Sequence, residues 1–216
     1  MPNLLWLQGG ACSGNTMSFL NAEEPSACDL VTDFGINILW HPSLGMELGD
    51  NLQKMLRALV AGEIPLDILV FEGTVVNAPN GTGEWNRFAG RPMKAWVADL
   101  AKVAGYTVAI GDCATWGGIP ATAPNPSESE GLQFLKRAHG GFLGKDYKSK
   151  AGLPTICSRS GWSSNRSSRG APRSRTSTRA SFPMTATRRR SKPSLGSMNC
   201  ANSSSGAAWD RSITPG

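Results

Sequence analysis

Three apolar runs of the chain each stop at a glycine-containing loop, and two of these loops carry a cysteine. The runs cover residues 4–8, 66–72 and 106–110. Cys12 follows the first run, Cys113 follows the third, and Glu72 closes the second. Short apolar runs bounded by glycine predict buried parallel strands. Because ligands of parallel sheets bind beyond the carboxyl ends of the strands, we expect the three loops to form one site.

Helical patterns separate these strands in the first part of the chain. The sequence predicts a helix at 15–21 capped by Ser13 or Asn15, further helices at 28–33, 46–61, 92–105 and 130–138, and strands at 36–40 and from 153. Residues 74–91 and 111–121 are predicted to form loops. The alternation of strands and helices predicts an α/β fold with a doubly wound parallel sheet.

The charge of the chain divides at about residue 157. Residues 1–157 contain 11 basic and 15 acidic residues, a net charge of −4, whereas residues 158–216 contain 11 and 1, a net charge of +10. The second part is rich in serine and arginine and has few large apolar residues, so it buries too little surface to offset the entropy of ordering. We predict a folded domain at 1–157 and a disordered tail at 158–216. Neither contains a recognisable nucleic-acid-binding module, so no nucleic acid partner is expected.

The five cysteines have irregular spacings, unlike a secreted disulfide framework. No targeting peptide precedes the first strand, and the longest apolar stretches are strand-sized, so no transmembrane segment is expected. These features predict a cytoplasmic protein, where cysteine more often serves metal binding or catalysis.

Cys12 and Cys113 are the strongest candidates for a functional role. Thiolates grouped in glycine-rich loops suit an iron–sulfur cluster, whose sulfides accept hydrogen bonds from backbone amides. The alternative is that each is a small buried hydrophobic residue, which is the interpretation favoured for Cys28. His41 and His139 have no ligand spacing around them.

The role of Glu72 is open at this stage. A carboxylate at a strand end can serve as a proton relay, accept amide hydrogen bonds, or lie as a polar residue at a solvated rim. The sequence contains neither the G-x-G-x-x-G motif nor a phosphate-binding loop with its lysine.

Up to about residue 155, the chain resembles the small subunit of nickel-iron hydrogenases, particularly the cytoplasmic uptake type. The resembling pieces are LLWLQGGACSGNTMSFLNAEEP, LWHPSLG, ILVFEGTV, GRPMKAWVADLAKVAGYTVAIGDCATWGGIPA and the NP-x-x-x-x-G stretch at 125–131. The resemblance implies a flavodoxin-like domain that holds a proximal iron–sulfur cluster and receives electrons from H2 oxidation in a separate large subunit. It implies that Cys12 and Cys113 are cluster ligands, that Glu72 lies beside the cluster, and that a downstream acceptor takes the electrons.

The chain departs from this family in three places. Asn15 stands where the family has the second cysteine of C-x-x-C, which implies a 3Fe-4S cluster or a 4Fe-4S cluster with an oxygen or nitrogen ligand. Cys157 lies near, but before, the expected P-G-C-P cysteine and is a further candidate ligand. The His/Cys-rich region for the medial and distal clusters is missing, so a truncated and impaired relay is expected. The abrupt change of composition suggests a frameshift near codons 154 to 157.

Two other functions are considered. The chain could be a flavodoxin-like module that binds a flavin or another small anion, without iron, at the strand-end crevice. It could also be a non-functional truncated domain that exposes an apolar interface around residues 9–16 and 74–91.

Overall fold

A computed structural model describes residues 1–135 and 138–158 of the chain. The predicted tail, apart from its first residue, lies outside the described residues, and so do Cys200 and the side chain of His139.

Five parallel strands form the central sheet. They are β1 (Asn3–Gln8), β2 (Asn37–Trp40), β3 (Ile68–Glu72), β4 (Tyr106–Ile110) and β5 (Ile156–Ser158). Their order across the sheet is β2-β1-β3-β4-β5, and every pairing is parallel. The sheet is therefore built outward in both directions from its middle, which is the flavodoxin-like order of a doubly wound sheet. The predicted fold class is confirmed.

Five helices connect or follow these strands. They are α1 (Gly14–Leu20), α2 (Ala27–Thr32), α3 (Gly49–Ala61), α4 (Met93–Val103) and α5 (Gly111–Trp116). α3 ends at Gly62, whose φ of 79° is the left-handed conformation typical of a glycine at a helix end. Within the described residues, no helix combines the length and apolar content that crossing a membrane requires.

The sheet has an apolar core on each face, which explains why its strands read as nearly continuous apolar runs. Successive side chains of a strand point to opposite faces. Leu5, Leu7, Leu69 and Phe71 face one side, where they pack in one core with α3 and α4. Leu4, Trp6 and Val70 face the other side, where Phe19 of α1 packs against them.

The predicted helix at 130–138 is wrong. The described part of this segment forms short strands at Ser129–Glu130, Phe134–Leu135 and Ala138–His139. The cause is a set of long-range contacts made by Gln133, which is buried. Its side chain donates to the carbonyls of Lys145 and Tyr147 and accepts from the Thr155 N–H at 2.6 Å. The local spacing of apolar residues gives no information about contacts with residues so distant in the chain, so it predicted a helix.

We expect Leu56→Ala to lower the free energy of unfolding by roughly 2–5 kcal/mol, because removing a fully buried leucine side chain leaves a cavity between α3 and the sheet. Denaturant titration of the full chain measures the change. Arg57→Ala, at the exposed neighbouring position, is the matched control and should change the free energy by less than about 0.5 kcal/mol. Equal losses for the two variants would contradict the inward orientation of Leu56.

Candidate functional site

The carboxyl ends of three neighbouring strands lie level with one another. In the sheet register Gln8 pairs with Glu72, and Glu72 pairs with Ile110. β3 is therefore flanked by β1, which leads to Cys12, and by β4, which leads to Cys113. The strand order reverses between β1 and β3, and doubly wound sheets bind ligands at such a point. The three predicted loops do meet at one edge of the sheet.

Glycines allow the loop after β1 to touch the segment after β3. The Gly10 N–H donates to the Thr74 carbonyl at 2.9 Å, and the Thr74 N–H donates back to the Gly10 carbonyl at 3.0 Å. A Cβ at Gly9 would lie 2.3 Å from the same Thr74 oxygen. A Cβ at Gly73, which has a φ of 85°, would lie 2.6 Å from the Ala11 Cβ. This close backbone approach fixes the start of the first cysteine loop over β3.

The Glu72 carboxylate is the polar centre of the site, and only 1% of the residue is exposed. Its Oε1 accepts from the backbone N–H groups of Asn15 (3.0 Å) and Thr16 (3.2 Å). Its Oε2 accepts from the Thr16 hydroxyl (2.5 Å), the Trp6 indole (3.3 Å) and the Gln8 amide (3.3 Å). Of the alternatives that the sequence left open, an acceptor of amide hydrogen bonds agrees with this geometry, and a polar residue at a solvated rim does not.

The first turn of α1 is capped from another strand. Ser13 precedes the helix with a φ of 62°, and its side chain makes no capping hydrogen bond. Its hydroxyl instead accepts from the Gln8 amide at 2.9 Å. Ser13 therefore occupies the N-cap position, as one of the two predicted alternatives had it, but its side chain does not cap the helix. Glu72 accepts from the N–H groups of Asn15 and Thr16, and so satisfies donors that an N-cap side chain usually satisfies.

Cys113 lies in a helix, whereas the sequence predicted a loop. α5 begins directly at the end of β4, at Gly111, whose φ is 79°. The Cys113 carbonyl accepts the N–H of Gly117 at 2.9 Å. A helix of 6 residues is too short to show a period in the sequence, which explains the wrong prediction. Cys113 is thus held in position by the backbone hydrogen bonds of α5, whereas Cys12 lies in a loop.

The two thiols interact electrostatically. Cys12 is exposed and Cys113 is half-buried. Burial raises the pKa of the Cys113 thiol, and negative charge on Cys12 raises this pKa further. A hydrogen bond from the Ile119 backbone opposes the rise, and the charges of Asp112 and Glu72 add to it. Negative charge on Cys12 therefore disfavours ionisation of Cys113 unless a cation lies between the two sulfurs.

Asn15 lies between the two cysteine-bearing segments. Its backbone N–H donates to Glu72, and its side-chain amide approaches the Ile110 carbonyl at 3.4 Å. A Cβ at Gly111 would lie 2.3 Å from the same amide nitrogen, so Asn15 packs against the start of α5. The structure thus brings four of the predicted site residues together, namely Cys12, Asn15, Glu72 and Cys113.

Cys157 is placed differently. It lies within β5, where it pairs with Ala109, one residue before the level row that contains Glu72 and Ile110. It is exposed, and its Sγ lies 3.7 Å from the Thr155 carbonyl oxygen. In the described part of the chain, no group of three or more His, Cys, Asp or Glu side chains is arranged to hold a metal ion.

His41 packs beside the site, although the sequence indicated no role for it. The residue is fully buried, with its ring centroid 4.8 Å from that of Trp6 and 5.6 Å from that of Phe19. Its Nδ1 accepts from the Ser43 N–H at 3.0 Å, and its Nε2 has no hydrogen-bond partner among the described residues. Burial lowers the pKa of His41, and the charge of Glu72 opposes this shift.

Comparison with known protein families identifies the chain. The family described as NADH ubiquinone oxidoreductase, 20 Kd subunit, matches residues 12–154. The chain belongs to this family. The matched range contains Cys12, Glu72 and Cys113, and it ends close to the change in composition near residue 157.

Individual relatives within this family are hydrogenase small subunits. The cytochrome c3 hydrogenase small chain of Acidithiobacillus ferrooxidans is 89% identical over 37 residues, which are 17% of this chain and 92% of that relative. The F420 non-reducing hydrogenase II small subunit of Methanosarcina mazei is 31% identical over 147 residues, covering 62% of this chain and 38% of that relative. The resemblance to hydrogenase small subunits is thereby confirmed.

A solved structure shows the same similarity. The actinobacterial-type NiFe-hydrogenase from Ralstonia eutropha H16 has a chain that superimposes with a TM-score of 0.61 and 32% identity, covering 72% of this chain and 47% of that chain. Apart from the short Acidithiobacillus relative, the chain spans less than half the length of the relatives described here.

Cys12→Ser is expected to lower the pKa of Cys113, because a thiolate at position 12 no longer opposes ionisation. The pKa should stay above the ordinary cysteine value of about 8.5, since burial is the larger cause. The pH dependence of Cys113 alkylation by iodoacetamide in metal-free protein, followed by peptide mass spectrometry, measures this pKa. Cys28→Ser is the control. An unchanged pKa of Cys113 in Cys12→Ser would show that the two thiols do not interact.

Proposed function

We propose that the chain is the cluster-binding N-terminal part of the electron-transfer small subunit of a nickel-iron hydrogenase. One observation carries the proposal. Cys12 and Cys113 reach the same sheet edge from the strands on either side of Glu72, in a fold shared with hydrogenase small subunits. In this role the chain makes and breaks no bond of the substrate. It accepts electrons released by H2 oxidation in a large subunit.

The chemistry of the two cysteines fits an iron–sulfur cluster. Thiolates are the usual protein ligands of such clusters, which supply one-electron transfer when bound. Glycine lies beside both sulfurs: a Cβ at Gly14 would lie 3.2 Å from the Cys12 Sγ, and a Cβ at Gly118 would lie 2.8 Å from the Cys113 Sγ. The absence of side chains at these two positions leaves space next to each thiol. Cys12 and Cys113 would hold the cluster.

Two thiolates form only part of the ligand set of a 3Fe-4S or 4Fe-4S cluster. Asn15 lies between the two cysteine-bearing segments and is the nearest candidate for an oxygen or nitrogen ligand. Cys157 is a candidate thiolate on the outer strand, one residue before the level row.

The remaining residues of the site orient the cysteines and present them to a partner. Glu72 holds the first turn of α1, which follows Cys12 directly. Apolar side chains follow both cysteines in the chain and are exposed, Met17 at 55% and Ile119 at 85%. Exposed apolar residues around an electron-transfer site suit contact with a large subunit, because the contact excludes water between donor and acceptor.

The proposal extends to the cellular location and the hydrogenase type. The irregular cysteine spacing suits a reducing compartment, which supports a cytoplasmic enzyme, and the resembling sequence pieces support the uptake type. Fractionation of cells that produce the full chain, followed by detection with an antibody, tests the location. Recovery in a membrane or extracytoplasmic fraction would contradict it.

A frameshift near codons 154 to 157 is part of the same proposal. The family match ends at residue 154, and the serine- and arginine-rich composition begins at residue 158. Without the medial and distal clusters the electron relay is impaired. The transcript across codons 150 to 216, read in all three frames, tests this idea. A frame that encodes P-G-C-P and later His/Cys clusters would support it, and the lack of such a frame would contradict it.

We expect the full chain, reconstituted anaerobically with iron and sulfide, to bind a cluster that is lost in Cys12→Ser and in Cys113→Ser, because serine is a poor substitute for a thiolate ligand. Iron and sulfide content, together with electron paramagnetic resonance spectra, measures the binding. Cys28, interpreted from the sequence as a buried residue, is in fact exposed on α2, so Cys28→Ser is the matched control. Tight binding of FMN with no iron would instead favour the flavodoxin-like alternative.

A further inference from the structure

Glu72 is a buried carboxylate that has no cation in contact among the described residues. The three ion pairs in the described part of the chain, which involve Arg87, Arg91 and Lys102, do not include it. Its partners are neutral N–H and O–H groups, all of them in β1 and in α1. Hydrogen bonds to the charged form stabilise a buried carboxylate, so within the described part of the chain neutral donors stabilise the negative charge.

These donors link Glu72 to the position of Cys12. Ser13 does not cap α1, so the first turn of the helix takes its acceptor from β3. Cys12 lies immediately before this capped turn. The geometry of the first cysteine therefore depends on a side chain of the middle strand, 56 residues away from Thr16 in the chain.

The same middle strand also sets the position of Cys113. β3 pairs with β4 along its whole length, and Glu72 is level with Ile110, the last residue before α5. One strand thus fixes both cysteines, with α5 attached through the backbone of β4 and the Cys12 loop attached through the Glu72 side chain. Loss of the carboxylate should loosen the attachment of the Cys12 loop and leave the attachment of α5 intact.

The charge of Glu72 also acts on the site. It contributes to the electrostatic environment of Cys113, although Glu72 lies in β3 and Cys113 lies in α5. Negative charge near an iron–sulfur cluster disfavours addition of an electron, and the effect is larger in a buried site than in water.

We propose that Glu72 is a positioning residue that holds Cys12 opposite Cys113, and that its buried charge lowers the reduction potential of a cluster bound by the two thiolates. The second part rests on the proposed function. The first part concerns the protein without any cluster, so the two parts can fail separately.

The positioning role is tested in the metal-free full chain. In a background with Cys28, Cys157 and Cys200 replaced by serine, dibromobimane bridges Cys12 and Cys113 and becomes fluorescent when both thiols react. We expect Glu72→Gln to reduce the bridging rate about tenfold, because an NH2 group cannot accept a hydrogen bond and therefore leaves donors of β1 or of the first turn of α1 unsatisfied. An unchanged rate would overturn the positioning role.

Glu128→Gln is the matched control for this experiment. The Glu128 carboxylate also accepts two backbone N–H groups, those of Asn80 and Gly81, both at 2.8 Å, but in a different loop. Its bridging rate should equal that of the parent. If Glu72→Gln does not fold, Thr16→Val removes one donor to the carboxylate while keeping the shape and the charge. A reduced bridging rate in Thr16→Val supports the positioning role, and an unchanged rate overturns it.

The role of the charge is tested by the reduction potential of the reconstituted cluster. We expect a higher midpoint potential in Glu72→Gln than in the parent, and a smaller change in Glu72→Asp, which keeps the charge. Glu128→Gln should leave the potential unchanged. Equal potentials in the parent and in Glu72→Gln would overturn the role of the charge. If neither the parent nor any variant binds a cluster, the proposed function fails, and the bridging rates still decide the positioning role.

Discussion

The site depends on a buried carboxylate that has no counter-ion in the part of the chain that the structure describes. Removing an ionised carboxylate from water costs several kcal/mol, and the structure offsets this cost by directing five donors at Glu72. The donors belong to β1 and to the first turn of α1. Burial of this one carboxylate is therefore linked to the folding of the loop that carries Cys12, because a buried carboxylate without these donors would be more costly than an open loop.

The sheet and the position of the site could be predicted from the sequence. Strands buried on both faces leave continuous apolar runs, and the glycines that end them mark the loops. The end of α3 at Gly62 was also evident, because glycine commonly takes the left-handed conformation after a helix. These features depend on neighbouring residues only, and local patterns record them. The flavodoxin-like order of the strands came from the resemblance to a known family.

The errors have a common physical cause, which is that distant residues decided the local structure. The acceptor for the first turn of α1 comes from Glu72 and not from Ser13. The segment predicted as a helix near residue 133 is held extended by bonds from Gln133 to carbonyls more than ten residues away. α5 is too short for periodicity to reveal it. The sequence also could not predict the register of Cys157, which lies in the outer strand β5 one residue before the row that contains Glu72.

The alternation of side chains along β3 makes the site sensitive to the length of this strand. Val70 faces the core that contains Phe19, Phe71 faces the opposite core, and Glu72 returns to the first side, where Trp6 donates to it. One residue inserted in β3 would exchange the two faces and point the carboxylate toward α3 and α4. Two inserted residues would restore the face but shift the carboxylate by about 7 Å along the strand, beyond its donors. The number of residues in β3 thus determines whether the Glu72 carboxylate lies within reach of its donors and can hold the Cys12 loop beside α5.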